Sequence, residues 1–197
     1  MEIILATKSP RRKEILANLG VDFKVVTEPT DENSTLTDGA ALAQELSARK
    51  ASAVCEKLKN SGCFSNETLI IGCDTVVCCD GEILGKPNDR EDAVRLLKML
   101  SGKAHEVISG LTLIYKDEIY TSHEVTSVIF DPLELTEIEE YVSTGECDDK
   151  AGAYGIQGLA SRFIHGINGC YFNVVGLPVN LLYRMTKQLG LSLTKNN

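Results

Sequence analysis

At 197 residues, 43% of them hydrophobic and 24% charged, the chain is long enough to bury a core and too apolar to remain disordered. Its 28 Asp and Glu outnumber its 20 Lys and Arg, and the net charge of −8 disfavours a surface that binds duplex nucleic acid. No apolar run approaches the roughly 20 residues of a transmembrane helix, and Glu2 lies where a secretion signal carries basic residues. We therefore expect a single domain over residues 1–197 that is cytoplasmic and does not enter a membrane.

Seven cysteines and three histidines raise the question of disulfides or bound zinc. The number of cysteines is odd, no C-x-x-C pair occurs, and the histidines are far apart along the chain. These features favour reduced thiols over a disulfide framework or a zinc site.

The hydrophobic pattern of the first part of the chain predicts strands that alternate with helices. In chain order, the predicted elements are a strand at 2–6, a helix that begins at Ser9-Pro10 and ends at Gly20, a strand at 21–26, a helix from Asp38 to about Leu58, and a strand at 69–77.

The remainder of the chain is predicted to contain a hairpin and further helices. In chain order, the predicted elements are a turn at Asp80-Gly81, a helix at about 89–100, strands at 105–116 and 119–130, a helix from a Thr136–Glu139 capping box to Thr144, a strand at about 170–175, and a helix from Pro178 to Leu189. Hairpins combined with crossovers are typical of an α/β or α+β fold with a mixed, twisted β-sheet.

Four basic residues crowd the first predicted helix start, within the segment K-S-P-R-R-K at 8–13. The helix macrodipole favours acids at this end, so Arg11, Arg12 and Lys13 lower helix stability unless an anion lies on the free N–H groups. The cluster is either a solvated face or a site for a phosphate or a carboxylate, and the crowding of bases at a helix start favours the site.

A single acid, Asp74, follows an apolar run that should be buried and precedes a further apolar pair. Burying a carboxylate costs several kcal/mol unless it is paired or bound to a metal. Asp74 is therefore either a structural acid that pairs with a base, or a metal ligand or general base at the edge of a cleft. Lys86, between a glycine and a proline, is a candidate second cation.

The segment 148–158 is rich in glycine, with three glycines, and carries two acids and one lysine. Glycines let backbone N–H groups approach a ligand closely, but the segment matches neither a Walker loop nor G-x-G-x-x-G. It is therefore either a tight turn or a binding site. Gln157 has a planar amide that either reads the edge of a nucleobase or braces the loop.

Together, these segments resemble the Maf family of nucleoside triphosphate pyrophosphatases, over about residues 2–190. The matching motifs are S-P-R-R at 9–12, G-C-D-T at 72–75, G-K-P at 85–87, L-S-G at 100–102, D-K-A-G-A-Y-G-I-Q-G at 149–158 and V-V-G-L-P at 174–178. The resemblance implies a mixed twisted β-sheet flanked by helices with a central cleft, as in inosine triphosphatases. It also implies a homodimer that hydrolyses a nucleoside triphosphate to the monophosphate and pyrophosphate with Mg²⁺ or Mn²⁺.

The resemblance also assigns roles to individual residues. Asp74 would be the catalytic carboxylate, which accepts a proton, and, together with Asp31, a metal ligand. The phosphate contacts would come from Ser9, Arg11, Arg12, Lys50 and Lys86. The specificity positions would be Arg12, Thr75 and Gln157, and the loop would be supported by Asp149, Lys150 and Gly155.

The residues at the specificity positions resemble those of members that act on dTTP and UTP. Two departures from the family pattern occur: Cys73 stands where alanine is usual, and Asp31-Glu32 is the nearest equivalent of a pair of glutamates. Two rival functions remain, a nucleotide-sensing or cell-division regulator without turnover, and a pyrophosphatase for a modified purine triphosphate.

Overall fold

Seven strands form one mixed β-sheet in the computed structural model, which describes residues 1–194. The strands are β1 (Glu2–Ala6), β2 (Lys24–Val25), β3 (Thr68–Cys79), β4 (Glu82–Leu84), β5 (Ala104–Tyr115), β6 (Glu118–Phe130) and β7 (Ile164–Asn168). The helices are α1 (Pro10–Asn18), α2 (Gly39–Asn60), α3 (Arg90–Leu100), α4 (Leu135–Ser143), α5 (Tyr171–Val175) and α6 (Val179–Gln188), with 3₁₀ turns at Ala151–Ala153 and Leu159–Phe163. The last three residues of the predicted domain lie outside the described residues.

The sheet has the strand order β2-β1-β3-β5-β6-β7, and β4 also pairs with β3. Strand β1 is parallel to both β2 and β3, whereas the remaining pairs are antiparallel. The parallel strands are connected through α1 and α2, and the β3–β4 and β5–β6 pairs are hairpins. The predicted fold class is therefore confirmed.

Alternation along the strands divides the core between the two faces of the sheet. In β1, Ile3 and Leu5 pack with α1 and α6, while Ile4 and Ala6 pack with α2 on the other face. A further cluster, which includes Tyr141, joins α3 and α4 to the ends of the long strands. Both faces of the sheet are thus apolar, and helices pack on each of them.

Most predicted elements are confirmed, among them β1, β3, β5, β6 and the five longer helices. The turn at Asp80-Gly81 is also present, with both residues at positive φ. Strand β2 is shorter than the predicted 21–26, because only residues 24 and 25 pair with β1 while Val21 packs into the core.

Two local predictions are wrong, and one strand was not predicted. Residues 170–175 form the short helix α5 instead of a strand, because buried Asn173 donates hydrogen bonds to Val107 O and Thr126 Oγ1 and holds the turn in place. Strand β7, which the prediction missed, occupies the sheet edge instead. The capping box of α4 consists of Glu134 and Glu137, because a carboxylate can accept from the N3 backbone N–H as a hydroxyl would.

Within residues 1–194, no helix is both long enough and apolar enough to cross a membrane. The seven cysteines are free thiols distributed over the sheet, α2 and the loops.

Candidate active site

Strand β3 has an open stretch on one edge, and this stretch is where the candidate site lies. The pairing of β1 with β3 ends at Gly72, and the pairing of β4 with the same strand begins at Val77. Residues 73–76 have no strand on this edge in the described part of the chain, although β5 pairs with them on the other edge. Side chains from both faces of the sheet can therefore reach one opening.

A cleft of about 980 Å³ occupies this opening. Its walls come from the start of α1, the loop before α2, the middle of α2, the β4 end and the glycine-rich loop. The site residues predicted from the sequence that line it are Ser9, Arg11, Arg12, Lys50, Asp74, Thr75, Lys86, Asp149, Lys150, Gly155 and Gln157.

Asp74 and Thr75 leave β3 on opposite faces of the sheet, because successive residues of a strand alternate. Asp74 lies on the face covered by α2, and Thr75 lies on the face of α1 and α5, beside Ser109 of β5. The cleft thus receives a carboxylate from one face and a hydroxyl from the other.

On the α2 face, Lys50 joins two carboxylates. Its Nζ donates a hydrogen bond to Asp74 Oδ1 and lies 2.7 Å from Glu32 Oε1. Burial, the largest single influence, would lower the pKa of Lys50, but the charges and hydrogen bonds of Asp74 and Glu32 together outweigh it, so the pKa lies above its ordinary value. The hydrogen bond from Lys50 lowers the pKa of Glu32, and the nearby charges of Lys86 and Arg12 add to this effect.

On the other face, the Arg12 guanidinium is held in place by two acceptors. Its Nε donates to Gly176 O at 2.7 Å, and its Nη2 donates to Thr75 Oγ1 at 3.0 Å. A guanidinium has five N–H donors, so three are left for other partners. Two of the predicted specificity residues, Arg12 and Thr75, are therefore directly bonded to each other.

The start of α1 carries the other basic residues of segment 8–13. Ser9 precedes Pro10 as expected for a helix start, yet within residues 1–194 its side chain makes no capping hydrogen bond. Its backbone N–H donates instead to Thr7 Oγ1 at 3.1 Å. Arg11 Nη1 lies 3.9 Å from Asp149 Oδ2, which connects the helix start to the glycine-rich loop.

The glycine-rich loop is fixed by a small polar network. Lys150 Nζ lies 2.6 Å from Asp149 Oδ1 and also donates to Glu146 O. Glu146 accepts a hydrogen bond from Leu159 N at 2.9 Å. A Cβ on Gly155 would lie 2.9 Å from Lys150 Cε, so only glycine leaves this lysine in place. Asp149, Lys150 and Gly155 therefore shape the loop.

Lys86 and Gln157 are both exposed and lie in the lining of the cleft on separate loops. Lys86 follows β4, and Gln157 lies near the end of the glycine-rich loop. Both side chains are thus available to a ligand in the cleft.

Glu32, and not Asp31, lies beside Asp74. The Asp31 carboxylate accepts hydrogen bonds from Asn33 N at 2.9 Å and Asn33 Nδ2 at 2.8 Å, and Asp31 is not part of the cleft lining. Asp31, which was predicted to hold the metal together with Asp74, is therefore in the wrong place, and the adjacent residue Glu32 is the better candidate for this role. A polar loop offers no periodicity from which the side-chain direction could be predicted.

Two buried polar residues behind Thr75, Ser109 and Asn173, were not predicted from the sequence. Ser109 Oγ lies 2.8 Å from Thr75 Oγ1 and donates to Asn173 O at 3.2 Å, and both residues are fully buried. Ser109 interrupts the apolar pattern of β5, and that interruption is the signal that could have identified it.

Comparison with known proteins decides the family. Residues 2–189 match the family described as Maf-like protein. The chain belongs to this Maf-like family. The resemblance drawn from the sequence motifs is confirmed, and the shared region covers nearly all of the described residues.

Two relatives of this Maf-like protein match it along almost their whole length. It is 44% identical over 190 residues to the dTTP/UTP pyrophosphatase of Symbiobacterium thermophilum, which covers 96% of this chain and 94% of that protein. It is 45% identical over 195 residues to the dTTP/UTP pyrophosphatase of Desulforamulus reducens, with 97% and 98% covered.

A solved structure shares the fold of this Maf-like protein at low sequence identity. The Ham1 protein of Staphylococcus aureus superposes with a TM-score of 0.52 at 12% identity, over 96% of this chain and 100% of that one. This likeness concerns the fold alone.

Proposed function

We propose that this Maf-like protein is a pyrophosphatase that hydrolyses dTTP and UTP to the monophosphate and pyrophosphate. The observation that carries the proposal is the position of Asp74 in the cleft, in contact with Lys50 and next to the Arg12–Thr75 pair. The name dTTP/UTP pyrophosphatase, borne by relatives of nearly equal length, supports the same reaction and substrates.

The carboxylate of Asp74 acts on the water that attacks the α-phosphorus. Its side chain is 13% exposed, so it can touch one water in the cleft while most of it is shielded. The Lys50 ammonium orients the carboxylate by bonding to Oδ1, which leaves the other oxygen to accept a proton from the attacking water. Lys50 is thus a positioning residue that also adds positive charge beside the reacting phosphate.

The cations around the cleft stabilise the charge that develops on the phosphates. A triphosphate is strongly anionic, and the departing pyrophosphate gains charge in the transition state. Lys86 reaches the cleft from the β4 end, and Arg11 and Ser9 reach it from the start of α1. The first-turn N–H groups of α1 add further donors for phosphate oxygens.

The acidic residues fit a divalent cation, Mg²⁺ or Mn²⁺, that binds with the substrate. Within residues 1–194, no three His, Cys, Asp or Glu side chains form a self-sufficient metal site. The carboxylates of Asp74 and Glu32 nevertheless both contact the Lys50 ammonium, and Mg²⁺ in nucleotide enzymes is held by one or two carboxylates together with substrate phosphates. Such an ion neutralises phosphate charge and polarises the bond that is cleaved.

A panel of triphosphates with Mg²⁺ tests the proposed reaction. We expect dTTP and UTP to be cleaved to the monophosphate and pyrophosphate, with ATP, GTP, CTP and 7-methyl-GTP cleaved far more slowly. Release of orthophosphate would contradict attack at the α-phosphorus. A preference for a modified purine triphosphate, or binding without turnover, would favour one of the two rival functions.

The Asp74→Asn variant tests the role of the central acid. We expect it to abolish turnover while the protein still folds, because the two side chains have nearly the same size. The melting temperature should fall somewhat, since the charge that pairs with Lys50 is lost. Activity near the wild-type level would remove Asp74 from the reaction. Chelation of the divalent ion should stop the wild-type enzyme, and added Mg²⁺ should restore it.

We further propose that the protein acts as a cytoplasmic homodimer, on the strength of the family resemblance. Analytical ultracentrifugation gives the mass in solution and distinguishes a dimer from a monomer.

A further inference from the structure

A chain of four hydrogen-bonded groups runs from the cleft into the sheet. It begins at Arg12 Nη2, passes through Thr75 Oγ1 and Ser109 Oγ, and ends at the backbone carbonyl of Asn173. The three separations are 3.0, 2.8 and 3.2 Å. Only its outer end, at Arg12 and Thr75, lies in the cleft lining.

The two ends of this chain fix the direction of every proton in it. A guanidinium can only donate, a carbonyl can only accept, and a hydroxyl has one proton and two lone pairs. Ser109 therefore donates its proton to Asn173 O, and its oxygen accepts the proton of Thr75. The Thr75 oxygen in turn accepts from Arg12 with one lone pair. Its second lone pair has no partner among these four hydrogen-bonded groups.

The inner end of the chain is rigid. Asn173 is fully buried, and its Nδ2 donates to Val107 O and to Thr126 Oγ1, both at 2.9 Å. Thr126 is itself buried and accepts from Cys170 N at 3.0 Å. The carbonyl that receives the Ser109 proton is therefore held on two strands, and it also accepts from Gly176 N at 3.0 Å. Reversing the hydroxyls would place the lone pairs of Ser109 Oγ against this carbonyl oxygen at 3.2 Å, which disfavours the reversed direction.

We infer that Ser109 and Asn173 are positioning residues that make the Thr75 hydroxyl a pure acceptor toward the base of the substrate. Uracil and thymine share an edge on which a carbonyl lies next to the N3–H group. A free N–H of Arg12 could donate to that carbonyl while Thr75 Oγ1 accepts from N3–H. Cytosine presents an acceptor at N3 and would leave Thr75 facing another lone pair. The inference rests on the proposed function for the identity of the ligand. It explains why uracil and thymine are preferred to cytosine. Guanine presents the same carbonyl and N–H edge, so its exclusion depends on the larger size of its ring system.

Binding of non-hydrolysable analogues tests the inference without requiring turnover. The dissociation constants of α,β-methylene-UTP and α,β-methylene-CTP, measured calorimetrically with Mg²⁺, should differ by at least about tenfold in the wild type, in favour of uracil. In Ser109→Ala, the Thr75 proton loses its acceptor and turns toward the cleft, so the preference should fall to within about threefold. Thr75→Val should remove the preference as well.

A double-mutant cycle separates positioning from mere stability. If Ser109 acts through Thr75, Ser109→Ala should cause no further loss of preference in a Thr75→Val background. Ser47→Ala is the matched control, because Ser47 is equally buried, lies 2.8 Å from Thr112 Oγ1 and belongs to the opposite face of the sheet. This control should keep the full preference for uracil.

The possible outcomes are distinct for the two proposals. Equal binding of the two analogues by the wild type, an unchanged preference in Ser109→Ala or in Thr75→Val, or additive losses in the double variant would overturn the inference. If the wild type prefers the uracil analogue and the preference depends on Ser109, but neither UTP nor dTTP is hydrolysed, the proposed reaction fails while the inference stands.

Discussion

Lys50 is a half-buried cation whose two carboxylate partners come from distant parts of the chain. Its ammonium contacts Asp74 in β3 and Glu32 in the loop before α2. A charge in such a place is costly unless it is paired, and removing one partner leaves the others without compensation. The charge balance of the cleft therefore depends on all three side chains together.

Glu32 and Asp31 are adjacent acids in the loop before α2, and variants of the two test which one acts in the site. We expect Glu32→Gln to lower kcat/KM by about tenfold or more and to raise the Mg²⁺ concentration needed for half-maximal activity, because a charged hydrogen bond and the proposed metal contact are lost. Asp31→Asn is the matched control and should stay within about threefold of the wild type. A larger loss of kcat/KM in Asp31→Asn than in Glu32→Gln would instead support Asp31 as the acid that acts with Asp74.

Lys86 should contribute to phosphate binding through its charge. We expect Lys86→Ala to lower kcat/KM for UTP by about 10-fold to 150-fold, the equivalent of about 1.5–3 kcal/mol for a charged hydrogen bond. Lys98→Ala, which removes an exposed lysine of α3 outside the cleft, serves as the control. A change of less than about threefold in Lys86→Ala would remove Lys86 from the phosphate site.

Among the elements, the glycine-rich loop is anchored to the sheet by a buried cluster of three rings. Tyr154 of the loop and His105 of β5 are both buried, and their side chains meet with the hydroxyl 2.7 Å from Nε2. Phe130 packs edge-on against both rings. Burial lowers the pKa of His105 to about 4, so the ring is neutral at physiological pH.

This anchor should make the protein sensitive to acid. An unfolded histidine titrates near pH 6.5, so the contribution of neutral His105 to stability is complete above that pH and is lost as the pH falls toward 4. Between pH 7 and 4.5, urea unfolding should show that the wild type loses roughly 2 kcal/mol more stability than His105→Gln does. In contrast, His165→Gln, which alters an exposed histidine, should follow the wild-type curve.

For the whole molecule, the decisive feature is the close packing of α2 on the sheet. A Cβ on Gly72 would lie 2.5 Å from Ser47 O, and one on Gly110 would overlap the backbone of Ala43. These two glycines of β3 and β5 let the helix approach the strands closely. The approach brings Lys50 of α2 to Asp74 of β3.

A methyl group at this contact should impair both stability and activity. We expect Gly110→Ala to lower the free energy of unfolding by about 1–3 kcal/mol, because the backbone of α2 must shift to admit it. The shift would also move Lys50 away from Asp74, so kcat should fall. Gly166→Ala provides the comparison, since a Cβ there has open space around it. Equal stability and activity for the two variants would contradict this account of the packing.

Much of the fold and part of the site were predictable because they depend on local patterns. Apolar period, caps and glycines locate most helices and strands, since these signals act over a few residues. An acid in an apolar run identified Asp74 for the same reason, and the ordered motifs identified the Maf-like family. Where local preference competes with packing, as at 170–175, the prediction failed, because the side chain of Asn173 bonds to strands far away in sequence.

The sequence by itself thus determined the order of the elements, the basic helix start and the central acid. Only the tertiary structure decided that Glu32 rather than Asp31 meets Lys50, and that Arg12 is bonded to Gly176, 164 residues away. It also decided that Asp74 and Thr75 reach one cleft from opposite faces of β3, with Ser109 behind the hydroxyl. The physical reason is that hydrogen bonds and ion pairs between distant segments depend on how helices and strands pack, and no local pattern in the chain encodes that packing.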